Sequence, residues 1–267
     1  MPEGPEVKTT VDFLKQFENK ILTNLDVLSG RYIKKAIHNL DNADWQPPLK
    51  IEKVACKGKF IYFCLSNNVY FFNTLGMTGS WSDVPTKHTR VKFAFQGGEI
   101  LYFNDIRNFG TLKIILDKKE LDTKLKSLGP DILTTNIDWK EFKNQFTKKS
   151  NKTVAECLMN QSLLSGVGNY LKAEILYCSE ISPHRLIKNI KDTEWKKLHS
   201  NTLAQARRSY KLGGATIATY RQPNGKEGLY NRRFAVYNQK MDPVGNEVIK
   251  EQTADKRTTH WVPNIQK

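Results

Sequence analysis

The chain has 267 residues, enough for two domains or one large one and ample for a core. It carries 42 Lys+Arg against 27 Asp+Glu, a net charge of +15, which points to a polyanion and to nucleic acid ahead of a membrane surface. No apolar run approaches the roughly 20 residues of a spanning helix, and the acidic first residues lack the apolar stretch of a secretory signal, so an intracellular protein is expected.

The chain opens Met1-Pro2-Glu3-Gly4-Pro5-Glu6. With Met1 removed, which the small residue at position 2 permits, Pro2 presents a free secondary amine. An N-terminal amine has a reference pKa of roughly 8 against about 10.4 for lysine, so more of it is unprotonated near neutrality. A secondary amine condenses with an aldehyde into a charged iminium, an electron sink and a covalent catalyst. Glu3 places a carboxyl group within reach to move protons. Pro5 suits a first helical turn and Glu6 its positive end. Val7, Val11, Leu14 and Phe17 then keep helical spacing.

Residues 59–65 and 69–72, around Ser66-Asn67-Asn68, read as a β-hairpin. So do 91–95 and 99–103 around Gln96-Gly97-Gly98, and a further strand is expected at 112–116. That count suggests a two-layered sheet or a flattened barrel. After Leu128-Gly129-Pro130-Asp131 the pattern turns helical. Stripes are marked by Trp139, Phe142 and Phe146, by Val154, Leu158 and Met159, and by Tyr170, Ala173, Leu176 and Tyr177, and a long helix is expected over 194–211. A polar loop runs from Gly213-Gly214 to about Arg233, and 234–237 and 258–262 read as two short strands.

Three stretches carry chemistry. In Gly166-Val167-Gly168-Asn169-Tyr170 two glycines permit a tight turn with exposed N–H groups, a helix start supplies an anion site, and Asn169 adds a donor; in so basic a chain phosphate is the expected ligand. Leu75-Gly76-Met77-Thr78-Gly79 and Asp105-Ile106-Arg107-Asn108-Phe109-Gly110 are candidate wedges, since apolar side chains pushed between base steps unstack and bend DNA. Core burial of Met77 and Phe109 is the competing expectation. Cys56, Cys64, Cys157 and Cys178 show no metal-ligand spacing, and Cys64 and Cys178 are expected to be buried as small hydrophobes. The five histidines are scattered. No metal and no cofactor is expected.

Together with Lys57-Gly58-Lys59 and the loop at 213–230, these pieces resemble, in order and spacing, the formamidopyrimidine-DNA glycosylase / endonuclease VIII family of base-excision repair enzymes over essentially the whole chain. The resemblance implies an α+β fold: a two-layered β-sandwich with an N-terminal helix (1–128), a helical domain with a helix–two-turns–helix motif (129–233) and a β-hairpin finger (234–267). It implies a bifunctional DNA glycosylase and abasic-site lyase. Pro2 would be the nucleophile at C1′, Glu3 the general acid/base, Glu6 a supporting carboxylate and Lys59 a phosphate grip. Asn169, with Gly166 and Gly168, would bind phosphate, and so would Arg257. Met77, Arg107 and Phe109 would fill the gap left by a flipped nucleotide, a need set by the glycosidic carbon being unreachable inside the stack. The partner would be damaged double-stranded DNA, with single-stranded DNA a second candidate, and a monomer is expected.

The pattern departs from that of bacterial members, whose finger holds zinc on two CxxC pairs. No cysteine follows Cys178; Val262 and Ile265 stand at one pair and Val244 and Glu247 near the other. Because thiolates hold such sites, a zincless finger stapled by apolar side chains is expected, with Trp261 packed beneath. Thr74, Ile106 and Asn108 stand where bacterial members often have histidine, proline and a second arginine. The loop at 213–233 resembles the one that covers 8-oxoguanine in the formamidopyrimidine branch, whereas the missing cysteines resemble the endonuclease-VIII-like or plant-type branch; oxidised pyrimidines and ring-opened purines are favoured over 8-oxoguanine. The alternatives are an 8-oxoguanine/formamidopyrimidine-type glycosylase, a lyase without base excision and a non-catalytic binder of damaged DNA.

Overall fold

In the computed structural model residues 2–217 and 220–267 are described. They divide into two units: Pro2 with 6–127 and the described part of 215–228, and residues 3–5 with 128–214 and 229–267.

The first unit takes most of helix α1 (Gly4–Leu14), which buries Val7, Val11 and Leu14 on one face. Strand β1 (Ile21–Val27) and the short α2 (Arg31–Lys34) lead to β2 (Leu49–Lys57), β3 (Phe60–Leu65), β4 (Tyr70–Thr74) and β5 (Gly79–Ser82). Then come β6 (Thr89–Phe95), β7 (Ile100–Asp105), β8 (Thr111–Ile115) and helix α3 (Lys118–Lys126). The strands lie in the order β5-β7-β6-β1-β2-β3-β4-β8, antiparallel throughout. β1 and β2 are in register at only Ile21–Lys50 and Leu22–Leu49, so two four-stranded halves meet there. Their inner faces touch through aromatic rings, Phe63 with Trp81 at 5.6 Å and Phe71 with Phe93 at 5.5 Å. The buried indole N–H of Trp81 is satisfied by Asn73 Oδ1 at 3.0 Å. This is the expected two-layered sandwich. Losing one of these rings to alanine costs about 3–5 kcal/mol.

Both expected hairpins form as β3–β4 and β6–β7. Strands β1, β2 and β5 were not anticipated. Bulges at 22–24 and 51–53 break the alternation of β1 and β2, and β5 is a four-residue strand rich in serine.

The second unit contains α4 (Trp139–Thr147), α5 (Val154–Met159), α6 (Asn169–Ser179), α7 (Asp192–Lys211) and the hairpin β9 (Ile249–Gln252)–β10 (Thr258–Trp261). Asp138 caps α4, and Thr153 and Glu156 close a capping box on α5. Phe142 and Phe146 of α4 pack on Trp195 of α7. α6 is buried on nearly every side, and two of its buried residues, Lys172 and Glu174, carry charge.

Residues 234–237 are not the expected strand. The N–H groups of Ala235, Val236 and Tyr237 all point at the Glu174 carboxylate, at 2.8–3.0 Å, so the backbone wraps that group and has no donors left for a ladder. The first strand of the hairpin is β9 instead. Cys64 and Cys178 are half-buried rather than buried; partial burial still pushes both thiols up, Cys178 to about 11. No described helix is long and apolar enough to cross a membrane.

Candidate active site and nucleic-acid interface

Pro2 is buried in the wall of a cavity of about 640 Å3 in the first unit. Strands β5 and β7 supply much of the lining, including Trp81 and Asn104; Met77 and loop residues 220–225 supply more. The loop is tied to α1: the Ala215 N–H donates to Glu6 Oε1 at 2.7 Å. Burial pushes the Tyr220 phenol up and the charge of Glu6 adds to this, against a hydrogen bond with Thr9, so Tyr220 presents a neutral hydroxyl. Glu6 therefore does more than start a helix; it anchors one end of a cavity-lining loop.

The three wedge candidates come together on the surface. Met77 is 42% and Phe109 52% exposed, so neither is a core residue. The Arg107 guanidinium lies 4.7 Å from the centre of the Phe109 ring and reaches Met77 Sδ at 3.2 Å. Asp105 shapes the loop behind them. Its Oδ2 accepts the Gly110 N–H at 2.7 Å, and its Oδ1 accepts Thr78 Oγ1 at 2.5 Å and the Arg107 N–H at 3.2 Å. Arg90 Nε donates to the Asp105 carbonyl at 2.7 Å. The two loops meet at Gly76, whose φ is +59°; a Cβ there would lie 2.6 Å from the Phe109 carbonyl carbon, so no larger residue fits. Lys59 stands at the β2–β3 turn, outside the cavity lining.

Glu3 belongs to the second unit and sits at the start of α6. Its Oε2 accepts the N–H groups of Gly168 (2.8 Å) and Leu171 (3.2 Å), and its Oε1 accepts that of Tyr170 (2.9 Å). The carboxylate answers the unsatisfied donors and positive end of the helix. A Cβ at position 168 would come within 2.2 Å of Glu3 Cδ, so the glycine is what admits the carboxylate. The N–H groups of Gly166 and Gly168, read from the sequence as phosphate donors, are engaged within the chain. The Gly168 N–H is taken by Glu3 and the Gly166 N–H by Gln161 Oε1 at 3.0 Å. The glycines permit close approach, and Gly4 N–H to Gly166 O at 2.8 Å completes the seam.

Asn169 and Arg257 are brought together: Asn169 Nδ2 donates to the carbonyl of Thr258, and Arg257 is exposed beside it in the hairpin turn. The residues of the finger do not fit a zinc ion. Among the described residues no group of three or more His, Cys, Asp or Glu side chains is placed to hold a metal. Ala173, Val236, Val248 and Val262 form an apolar cluster there, with Ile265 against it. Two details differ from expectation. Val244 is 75% exposed and Val248 takes the buried place, because residues 242–246 form a turn around Asp242. Trp261 lies outside the cluster, its ring against His184 and its N–H on Glu251 Oε1 at 2.5 Å. Sequence reasoning missed Asp105, Gln161, Lys172, Glu174 and Asp255, which hold others in place; only Asp105, opening a wedge loop, left a local signal.

Three family models match in succession: the formamidopyrimidine-DNA glycosylase N-terminal domain at residues 1–112, its H2TH domain at 128–221 and its C-terminal domain at 230–267. The formamidopyrimidine-DNA glycosylase of Ureaplasma parvum is 31% identical over all of both chains, and that of Oceanobacillus iheyensis 32% identical over all of this chain and 98% of its own. The crystal structure of the MutM (Fpg) protein of Thermus thermophilus superposes with a TM-score of 0.86 at 30% identity, covering 99% of this chain and 98% of that one. A Lactococcus lactis Fpg variant complexed with Fapy-dG-containing DNA shares the fold, with a TM-score of 0.87 at 24% identity over all of both chains. The fold and these relatives define a DNA glycosylase of base excision repair that also carries abasic-site lyase activity. The chain belongs to the formamidopyrimidine-DNA glycosylase family.

Proposed function

We propose that this chain excises ring-opened purines and oxidised pyrimidines from damaged duplex DNA and then cuts the strand through a covalent intermediate on Pro2. The observation that carries the reading is the burial of Pro2 in the wall of a cavity that Met77 and residues 220–225 also line. A volume of about 640 Å3 is in the range of sites that enclose a small organic group. The flipped nucleotide would enter this cavity, and Met77, Arg107 and Phe109 would occupy the stack it leaves.

In the proposed sequence the Pro2 nitrogen attacks C1′ and the C1′–N bond breaks, its electron pair leaving with the base, which takes up a proton. The Glu3 carboxylate takes the proton that the Pro2 nitrogen sheds on bonding to C1′ and passes it to the sugar ring oxygen as the ring opens, giving an iminium between Pro2 and C1′. The iminium draws electrons from the C2′–H bond. A proton leaves, the 3′ phosphate departs by β-elimination and a second elimination releases the 5′ phosphate. Water then hydrolyses the iminium and restores the amine. Asn169, Arg257 and Lys59 would hold phosphates through these steps, and salt would weaken binding accordingly.

Two lines support the lesion class. The relatives are named for formamidopyrimidine, the ring-opened purine, and the finger without cysteines resembles the endonuclease-VIII-like branch. Single-turnover excision from duplexes carrying formamidopyrimidine, thymine glycol, 8-oxoguanine or an abasic site tests it. The first two should be processed at least about tenfold faster than 8-oxoguanine, a gap of the size that pocket contacts supply. Fastest cutting of 8-oxoguanine would select the alternative specificity. Cleavage of the abasic duplex alone would leave a lyase, and binding without cleavage a damage-recognition module.

A further inference from the structure

Lys172 and Asp255, 83 residues apart, form an ion pair closed to solvent. Nζ and Oδ2 are 2.6 Å apart and the side chains are 0% and 4% exposed. The pair joins the first turn of α6 to the turn of the β9–β10 hairpin. Asp255 Oδ1 also accepts Thr253 Oγ1 at 2.5 Å, and Thr253 Oγ1 lies 2.6 Å from Thr259 Oγ1 across the turn. The Thr253 N–H donates to the Arg257 carbonyl at 3.1 Å. Asn169, at the start of the same helix, holds the carbonyl of Thr258 at 2.9 Å. The backbone is therefore gripped on both sides of Arg257, whose own side chain is exposed. Two residues further along α6, Glu174 grips 235–237, where the chain approaches the finger.

Burying two charges costs free energy that apolar residues of similar volume would not cost, so stability is a poor reason for the pair. What an ammonium on a carboxylate supplies is a fixed place: the turn can dock on α6 in one register. Burial draws the Lys172 amine down while Asp255 opposes it, and Arg257 is near enough to act on Lys172 electrostatically.

We propose that Lys172 and Asp255 are positioning residues for Arg257. They hold the hairpin turn by an ion pair where the bacterial fingers described above are held by zinc. The inference rests on the reading of Arg257 as a phosphate ligand. The test measures binding to a duplex with a tetrahydrofuran abasic analogue, across a salt series, for Asp255→Asn, for the charge-free pair Lys172→Met with Asp255→Leu, and for each combined with Arg257→Ala. The charge-free pair keeps the test open if a lone buried Lys172 unfolds the protein. Asp255→Asn and the charge-free pair should each weaken binding by about tenfold and flatten the salt slope by roughly 0.9, one phosphate contact. In the Arg257→Ala background the same changes should move binding by less than about twofold, since coupled residues do not add. An undiminished effect in that background, or no effect without it, overturns the proposal while leaving Arg257 as a ligand. If Arg257→Ala alone changes neither affinity nor slope, the reading of Arg257 fails, and the proposal with it.

Discussion

Pro2 and Glu3 are neighbours in the chain but live in different surroundings. Pro2 lines a cavity whose other walls include loop residues at 77–78 and 220–225. Glu3 is held by three backbone N–H groups at the start of a buried helix, against a glycine that leaves room for nothing else. The contrast suits the two roles proposed above for these residues. A nucleophile that becomes part of a covalent intermediate needs space for a ligand to enter and leave. A group that moves protons needs a fixed direction, and backbone donors at a helix start supply one at no cost in side-chain flexibility.

The largest effect should come from Glu3→Gln, which keeps the shape and removes the proton-carrying group. Excision of thymine glycol in single turnover should fall by about 10²–10⁴, the usual worth of general acid–base help. Cleavage of a preformed abasic site should fall less, and an equal loss on both substrates would place Glu3 elsewhere in the reaction. Next is Gly168→Ala. The added Cβ must push the Glu3 carboxylate aside, and misplacement of about 1 Å costs on the order of 10²-fold in rate. Normal rates in this variant would show that the cradle is not needed.

On the side of the cavity, Phe109→Ala should lower excision by about tenfold while leaving the melting temperature nearly unchanged, because an exposed side chain contributes within about 0.5 kcal/mol to stability. A drop in melting temperature with normal excision would return Phe109 to a structural role. The last effect acts on stability rather than on rate and concerns the finger and pH. Burial pulls His260 down to about 4, with Lys250 and Lys172 adding to it, and its Nδ1 has no hydrogen-bond partner among the described residues. The unfolded chain takes up this proton near pH 6.5 and the folded one only near pH 4. Stability should therefore fall as pH drops between those values, by up to about 3 kcal/mol, and the loss from this group should stop below them. Urea unfolding at pH 7 and pH 5 should show that slope, and His260→Gln should flatten it.

What could be read from the chain alone follows from how local each signal is. The β3–β4 and β6–β7 hairpins announce themselves through apolar runs around Asn and Gly turns, and Pro2 is a candidate by its place at the terminus. Met77 and Phe109 were legible because both sit beside glycines in loops after strands. β1 and β2 were hidden by bulges that shift the alternation. The contact of Gly168 with Glu3 was hidden for a different reason: a glycine before a helix suits an incoming phosphate and an internal carboxylate equally well, and the carboxylate comes from 165 residues away. The Lys172–Asp255 pair had no local signature at all. In a chain with 42 basic and 27 acidic side chains nothing in the sequence says which two are buried together.

The most direct test of the account is reductive trapping. Borohydride added to the protein with abasic or thymine-glycol duplex should fix a protein–DNA adduct, and peptide mapping by mass spectrometry should place it on the nitrogen of an N-terminal Pro2 with Met1 gone. An adduct on a lysine instead, or full activity in protein that retains its initiator methionine, would contradict it.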